Sequence, residues 1–376
     1  MTDSAIVANI PLTPLTELIA STAAPAGLKA YRGALSPAQL DAPQKEWSAL
    51  SSGAAVHDLG WLRRVAVRGE DRFRWLNGMV TNSVSGLDAN TGAWNLVLNA
   101  QGRIQGELYV WRQGTGSEAD TLHLEIAADQ QDKLLAHFDH FIIMDDVELV
   151  PHPELTAVGL TGPKADEILA HLGLPCLTNP LTIVEASWNG ENLQILRSYG
   201  ALVPHYELWI ERAHLGPLWS ALVAAGACGV GTASLEALRV AEAIPTYGVD
   251  MVERDLPQET NQMRALHFTK GCYLGQEIVE RIRSRGNVHR HLRQLELDGP
   301  LPEPGTELFF ENAAGAQASA GQITSTVELP LVAGPRCVAL GVVRAEAELR
   351  SQPYTYAVGA TTGTARILAA PTNLVS

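Results

Sequence analysis

The chain passes twice through the same succession of a short strand, a glycine turn and an amphipathic helix, and this repetition limits the folds open to it. The first pass begins at residues 64–68 and the second at residues 155–160. Alternating apolar residues followed at once by glycine and then by helical spacing indicate α+β structure. We predict one α+β subdomain over residues 28–150 and a second over residues 151–244. The stretch from about 245 to 288 completes the first.

The two ends of the chain have a different character. After Asn287, helical spacing fades, and short Val, Ile and Leu runs alternate with Gly, Pro and Asn. Several short strands at such spacing indicate a small antiparallel barrel, which we predict over residues 289–376. Residues 1–27 are rich in Ala, Thr and Pro. We predict a poorly ordered leader there.

Composition excludes several classes of protein. The 376 residues carry a formal net charge of −14, which argues against general coating of nucleic acid and against adhesion to an anionic membrane. The four cysteines form no Cys-x-x-Cys pair and no disulfide framework, so we expect no metal site and a reducing compartment. No Lys or Arg precedes Lys29, so a signal or transit peptide is not indicated. We expect a cytoplasmic location.

One stretch, residues 270–277, carries the strongest chemical signal. It places Cys272 between two glycines, close to Lys270 and just before a helical pattern that we expect to start near Leu274. A helix N-terminus and a nearby cation both favour the thiolate over the thiol. The stretch therefore indicates a reactive or ligand-handling cysteine.

Each candidate also has a plainer interpretation. Cys272 is equally well interpreted as a small buried hydrophobe in an ordinary turn. Trp61, just before the first strand, is either a core residue or a platform for a flat heterocycle. The basic residues between 281 and 293 form either an anion site or a solvated helix face and linker. Residues alone leave these alternatives open.

Residues 270–277 resemble, position for position, the Lys-Gly-Cys-Tyr-x-Gly-Gln-Glu motif of the YgfZ family of folate-binding proteins. That family is related to the glycine-cleavage T-protein, an aminomethyltransferase. The likeness extends over most of residues 30–370. Its further segments are residues 58–59, 69–71, 160–165, 238–250, 256–259 and 321–325.

The resemblance implies a three-domain, ring-like α+β fold with a C-terminal β-barrel around a channel for tetrahydrofolate or a one-carbon-substituted folate. It implies support of iron–sulfur cluster assembly or repair and, through it, of tRNA modification. The expected partners are iron–sulfur client enzymes or assembly proteins, with no membrane and no direct nucleic acid. Cys272 would be the functional thiol, with Lys270 beside it. The implied folate contacts are Trp61, Glu107, Arg239, Tyr247, Asp250, Tyr273 and Gln276.

Two departures from the T-protein pattern bear on activity. Paired aspartates in the T-protein, one of them catalytic, are replaced here by Gly106 and Glu107. The T-protein folate loop is replaced by residues 201–204. Both departures argue against aminomethyl transfer, because positioning dominates such chemistry. Two alternatives stay open: a folate-dependent aminomethyltransferase that uses Glu107, and a non-catalytic folate-sensing scaffold.

Overall fold

The computed structural model describes residues 10–20, 27–117, 119–286, 288–331 and 334–374, with the side chains of Ala20 and Arg285 left aside. The chain divides into two compact units. One comprises residues up to 95 together with 107–235, and the other comprises 96–106 together with the residues from 236 onward.

The first unit contains most of the helices and a large sheet. Its helices, the last of which ends in the second unit, are α1 (Pro14–Ala20), α2 (Pro43–Ser52), α3 (Arg72–Met79), α4 (Ala128–Asp139), α5 (Ala165–His171), α6 (Leu215–Ala224) and α7 (Thr232–Ala241). Its strands are β1 (Leu28–Tyr31), β2 (Ala34–Pro37), β3 (Ala55–Asp58), β4 (Leu62–Arg68), β5 (Thr91–Leu98), β6 (Ile104–Gln113), β7 (Thr121–Ala127), β8 (Glu148–Pro151), β9 (Leu155–Thr161), β10 (Thr182–Trp188), β11 (Glu191–Ser198), β12 (His205–Glu211) and β13 (Cys228–Val230). The tips of β5 and β6 belong to the second unit.

The repeat expected from the sequence is present in the sheet. The successions β4-α3-β5-β6-β7-α4-β8 and β9-α5-β10-β11-β12-α6-β13 have the same order of elements. In the sheet, the order is β13-β3-β9-β12-β11-β10-β5-β6-β7-β4-β8, so the two halves are laid out alike apart from the inserted β3. The halves join where Thr182 of β10 pairs with Thr91 of β5. The two α+β halves therefore share one sheet.

This sheet curls so that its two halves enclose a common interior. The Arg64 guanidinium on β4 lies 4.6 Å from the ring centroid of Trp209 on β12, although several strands separate them in the sheet. One buried cluster draws on both halves, with Trp61 and Trp111 from the first and Leu196 and Trp209 from the second. The opposite face of the second half packs on α6 through a separate aliphatic cluster that includes Leu218 and Leu222.

Part of the stretch predicted as a leader is a packed element. Residues 14–20 form α1, and Leu15 is completely buried in the aliphatic cluster under α6. The hydroxyl of Thr13 donates a hydrogen bond to the carboxylate of Asp58. Residues 1–9 and 21–26 of the predicted leader lie outside the described residues.

The second unit contains a closed six-stranded barrel, in the strand order β14-β17-β16-β15-β18-β19. Its elements are α8 (Gln276–Arg285), β14 (Arg290–Asp298), β15 (Glu307–Glu311), β16 (Gln317–Leu331), β17 (Gly334–Arg344), α9 (Ala345–Glu348), β18 (Tyr354–Val358) and β19 (Thr361–Ile367), with 3₁₀ turns at Pro257–Thr260 and Met263–Ala265. The predicted C-terminal antiparallel barrel is confirmed. A Cβ on Gly321 would lie 1.9 Å from the Val342 carbonyl oxygen, so β16 and β17 meet there only through glycine.

None of the helices in the described part of the chain has the length and apolar character needed to cross a membrane.

Candidate functional site

The cysteine turn, residues 270–277, is a loop of the second unit that leads into α8. Gly271 and Gly275 have φ values of 96° and 81°, which glycine adopts readily. The helix begins at Gln276, two residues later than expected, and Gly275 is its N-cap residue. The side chain of Cys272 is exposed, so its interpretation as a buried hydrophobe is wrong.

Backbone contacts within the second unit hold this turn in place. A Cβ on Gly275 would lie 2.6 Å from the carbonyl oxygen of Asn99 and 3.0 Å from the Cα of Gly102, so the turn packs directly on the tip of the β5–β6 hairpin. The side-chain oxygen of Gln276 accepts a hydrogen bond of 3.2 Å from the backbone N–H of Tyr273. Gln276 therefore shapes the turn.

Lys270 and Tyr273 form the inner side of the turn. The Lys270 Nζ lies 5.0 Å from the centroid of the Tyr273 ring. Burial lowers the pKa of Lys270 to about 7, so a large share of this side chain is a neutral amine near neutral pH. Burial also raises the pKa of Tyr273 to about 12. Lys270 thus supplies less positive charge to a Cys272 thiolate than the sequence indicates, but its amine can accept a proton.

Arg239 and Asp250, two of the implied folate contacts, are bound to each other. Arg239 Nη1 donates to Asp250 Oδ2 at 2.6 Å and to the Ile244 carbonyl oxygen at 2.7 Å. Its Nε and Nη2 donate to the carboxylate of Glu236, and Nη2 also donates to the hydroxyl of Ser325 at 2.9 Å. All five N–H donors of this guanidinium are therefore engaged within the second unit.

The hydrogen-bonding capacity of the Asp250 carboxylate is also fully used. Its Oδ1 accepts hydrogen bonds from the hydroxyls of Thr324 and Ser325, and its Oδ2 accepts one from the backbone N–H of Thr246 as well as from Arg239. The nearby Tyr247 is half-buried in the same turn. The geometry gives Arg239 and Asp250 a structural role, because they tie α7 and this turn to β16.

Two of the basic residues between 281 and 293, Arg290 and Arg293, are paired with neighbouring carboxylates. Arg290 lies 2.7 Å from Asp255 and 2.9 Å from Glu259, and Arg293 pairs with Glu348. These contacts favour a structural cluster over the anion site considered from the sequence.

In the first unit, Glu107 lies in a buried polar cluster. Its Oε1 pairs with Arg32 Nη2 at 2.9 Å, and its Oε2 accepts a hydrogen bond of 3.1 Å from Trp94 Nε1. The backbone N–H of Glu107 donates to the side-chain oxygen of Gln130. The Gln130 Nε2 is buried and has no hydrogen-bond partner within the described part of the chain.

Trp61 belongs to the same neighbourhood. It is buried in the core cluster, and the Arg32 guanidinium lies 5.0 Å from its ring centroid. Burial lowers the pKa of Arg32, but the Glu107 and Asp129 carboxylates outweigh burial, so this pKa is raised. Arg32 therefore links Trp61 to Glu107. Sequence reasoning missed Arg32, Trp94 and Gln130, since no local pattern marks them.

A second buried polar cluster, also missed, lies inside the curled sheet. Glu125 accepts a hydrogen bond of 3.0 Å from Trp111 Nε1, and Glu207 accepts one of 3.1 Å from Trp209 Nε1. The Arg64 guanidinium lies 3.5 Å from Glu125. Burial and the adjacent Glu207 raise the pKa of Glu125 well above its ordinary value. Glu125 therefore binds a proton more tightly than an exposed glutamate does.

We expect the Glu125→Gln variant to lose less stability than the wild type as the pH rises from about 5 to about 9. The folded protein binds the Glu125 proton more tightly than the unfolded chain does. The free energy of unfolding therefore falls as the pH rises from the ordinary pKa near 4.5 to the raised pKa of the folded state. Glutamine imitates the protonated acid and removes this cost. Thermal unfolding midpoints across this pH range measure the effect, with the exposed Glu167→Gln as control. Equal pH slopes in Glu125→Gln and wild type would contradict it.

The described residues contain no group of three or more His, Cys, Asp and Glu side chains arranged to hold a metal ion.

Comparisons with known proteins agree with this fold. The family model described as the GCVT N-terminal domain matches residues 29–270. The chain is 24% identical to an aminomethyltransferase of Rippkaea orientalis, over 92% of this chain and 95% of that protein. It is 27% identical to an aminomethyltransferase of Rubrobacter xylanophilus, over 83% of this chain and 82% of that protein. The crystal structure of glycine cleavage system aminomethyltransferase T from Bartonella henselae superposes with a TM-score of 0.84 at 19% identity, covering 98% and 99% of the two chains.

The chain belongs to the GCVT family. The predicted α+β fold of this superfamily is confirmed, including its C-terminal barrel.

Proposed function

We propose that this chain is a tetrahydrofolate-binding member of the GCVT family that acts through Cys272, as the YgfZ-like motif implies. Its role would be to support iron–sulfur cluster assembly or repair and, through iron–sulfur enzymes, tRNA modification. The observation that carries the proposal is the exposure of Cys272 in a turn built by two positive-φ glycines. A solvent-exposed thiol in a fixed position is available to a partner protein or a substrate.

The polar cluster of the first unit fits a folate better than the second unit does. Gln130 carries a buried, unpartnered N–H₂ group beside Glu107, and the buried Trp94 indole donates to the same carboxylate. A pteridine ring presents amide-like acceptors and amino donors along one edge, which such a pair can satisfy. Arg239 and Asp250 have no hydrogen-bonding capacity left over and are poorly suited to bind a ligand.

The cysteine turn contains the reactive side chains that this chain itself contributes. The neutral amine of Lys270, in the same turn as Cys272, can take up a proton at Nζ near neutral pH. Tyr273 and Gln276 keep the turn in shape through the backbone contact described above. When bound, tetrahydrofolate would supply one-carbon or reduced-pteridine chemistry.

The second candidate function is aminomethyl transfer, which is favoured by the names of the relatives from Rippkaea orientalis and Rubrobacter xylanophilus. Its acid–base residue would be Glu107. Both oxygens of that carboxylate are engaged, one by Arg32 and one by Trp94, so a substrate could contact Glu107 only by displacing one of these partners. For this reason we place the cysteine-based function first.

We expect Cys272→Ser to bind tetrahydrofolate as the wild type does but to fail to restore iron–sulfur enzyme activity in cells that lack the protein. Titration calorimetry measures binding, and complementation measures function. The matched control is Cys176→Ser, because Cys176 is also an exposed thiol. Full complementation by Cys272→Ser would contradict a mechanism that uses the Cys272 thiol. Release of ammonia from an aminomethyl-lipoyl carrier by purified wild type, with transfer of the methylene group to added tetrahydrofolate, would establish the second candidate if Glu107→Gln abolished it.

A further inference from the structure

A cavity of about 890 Å³ opens at one end of the curled sheet in the first unit. It is lined from one half of the sheet by residues of β4, β6 and β7, and from the other half by residues of β10 and β11. Its volume falls in the range of sites for molecules the size of a nucleotide. None of the residues implied as folate contacts lines it, so this cavity is independent of the proposed folate site.

His123 is a buried polar side chain on the wall of this cavity. Only 9% of its surface is exposed, and its Nδ1 is fully buried without a hydrogen-bond partner in the described part of the chain. Burial, followed by the neighbouring Arg64, His152 and Arg68, lowers the pKa of His123 to about 3. The ring is therefore neutral, with one donor and one acceptor nitrogen, and it lies in a positive field.

Arg64 contributes most to this positive field, and Arg68 is the arginine among its sources that lines the cavity. In the β4–β7 register, Ala66 lies opposite His123, and Arg68 follows two residues later on the same face. Arg68 is exposed and forms no ion pair with any residue that the structure describes, although Glu148 lies opposite it on β8. In a chain with a net charge of −14, an arginine without an ion pair beside a cavity can attract an anionic ligand.

Asp120, an acid on this wall, is already engaged by other groups. Its carboxylate accepts hydrogen bonds from the backbone N–H groups of Thr115, Gly116 and Ser117 and pairs with Arg112 at 2.9 Å. Backbone and arginine hydrogen bonds hold the pKa of Asp120 at about 2, against the opposing effect of burial. Asp120 therefore does not compensate Arg68.

The opposite wall carries a directed chain of side-chain hydrogen bonds. Arg64 donates to Gln194 at 3.1 Å, Gln194 donates to Gln113 at 3.1 Å, and Gln113 donates to Glu185 at the rim. This wall thus ends in a carboxylate that accepts hydrogen bonds. The cavity has one wall suited to an anion and another suited to a donor group.

We infer that this cavity binds an anionic small molecule of nucleotide size, with its charged group at Arg68 and His123 and hydrogen-bond donors at Gln113 and Glu185. The shared chemistry is a phosphate or carboxylate at one end of the molecule and N–H donors at the other. This inference does not rest on the proposed function, because it concerns a separate cavity.

The test is titration of the full chain with adenosine 5′-monophosphate, with adenosine and with tetrahydrofolate, at low and at high salt. We expect adenosine monophosphate to bind more weakly at high salt, and adenosine to bind at least about tenfold more weakly, since one charge-assisted contact is worth that much. Arg68→Gln should weaken adenosine monophosphate about tenfold. His123→Gln, which keeps one hydrogen-bond donor and one acceptor, tests the contact between the charged group of the ligand and His123. Arg212→Gln, an exposed arginine of the same unit away from the cavity, should leave binding unchanged.

The results with the different ligands distinguish a phosphate from a carboxylate as the anionic group that binds. Binding of adenosine monophosphate that depends on Arg68 assigns a phosphate ligand. Binding of tetrahydrofolate alone, weakened by Arg68→Gln, assigns a carboxylate ligand and supports the same cavity. Equal affinity for adenosine and its monophosphate, or binding of every ligand unchanged in Arg68→Gln, overturns the inference. So does a lack of binding by all three probes. Thermal unfolding of each variant confirms that it is folded.

Discussion

Arg239→Met is expected to lower the free energy of unfolding by about 3–5 kcal/mol, because it leaves the Asp250 carboxylate buried without its countercharge. The Asp250 side chain is completely buried, and Arg239 is its partner at 2.6 Å. The same substitution removes the contacts of this guanidinium with Ser325 and with the Ile244 carbonyl oxygen. The midpoints of thermal and denaturant unfolding measure the loss.

The matched control is the double variant Arg239→Met with Asp250→Asn, which removes the charge on both sides. It should recover part of the loss, since a neutral amide costs less to bury than an unpaired carboxylate. The opposite pattern is also informative. If Arg239→Met left the unfolding midpoint unchanged and abolished only tetrahydrofolate binding, then Arg239 would be a ligand contact, as the family resemblance implies.

The second large effect is expected at Gly275. The Gly275→Ala substitution should cost about 2–4 kcal/mol, since it adds a Cβ at a φ of 81° and forces that Cβ to within 2.6 Å of the Asn99 carbonyl oxygen. Gly271→Ala is the control within the same motif. It also has a positive φ, but no atom lies within 4 Å of the added Cβ, so only about 1 kcal/mol is expected.

Two measurements separate these variants. Thermal unfolding gives the cost of each substitution, and the rate at which iodoacetamide alkylates Cys272 reports whether the turn has moved. Gly275→Ala should change both quantities, whereas Gly271→Ala should change the first only slightly. Equal costs at the two glycines would show that the hairpin tip does not support the cysteine turn.

Local sequence signals were sufficient for much of the fold. Alternation and glycine spacing predicted the repeated halves and the barrel, because strand faces and turns depend on neighbouring residues. The glycine turn around Cys272 was predictable for the same reason. The helix start was placed two residues early, since Gly275 continues the turn before α8 begins.

The partners of buried charges could not be predicted in this way. Arg32 and Glu107 are 75 residues apart, and nothing near either residue indicates the other. Arg239 and Asp250 are close in the chain and were singled out together, but the sequence could not reveal that their hydrogen-bonding capacity is used up. Nor could the spacing around Lys270 reveal the burial that lowers its pKa to about 7. Such features depend on which distant surfaces meet.

The curled sheet has a consequence for how this architecture can arise and fold. Trp111 and Glu125 belong to one repeat, whereas Trp209 and Glu207 belong to the other, and the two sets form one interior. A single repeat in isolation would present this face, with its tryptophans and its acids, to water. An ancestral half-length chain would therefore have needed a second copy against that face. In the present chain, the covalent link between the halves replaces that association and makes the folding of each repeat dependent on the other.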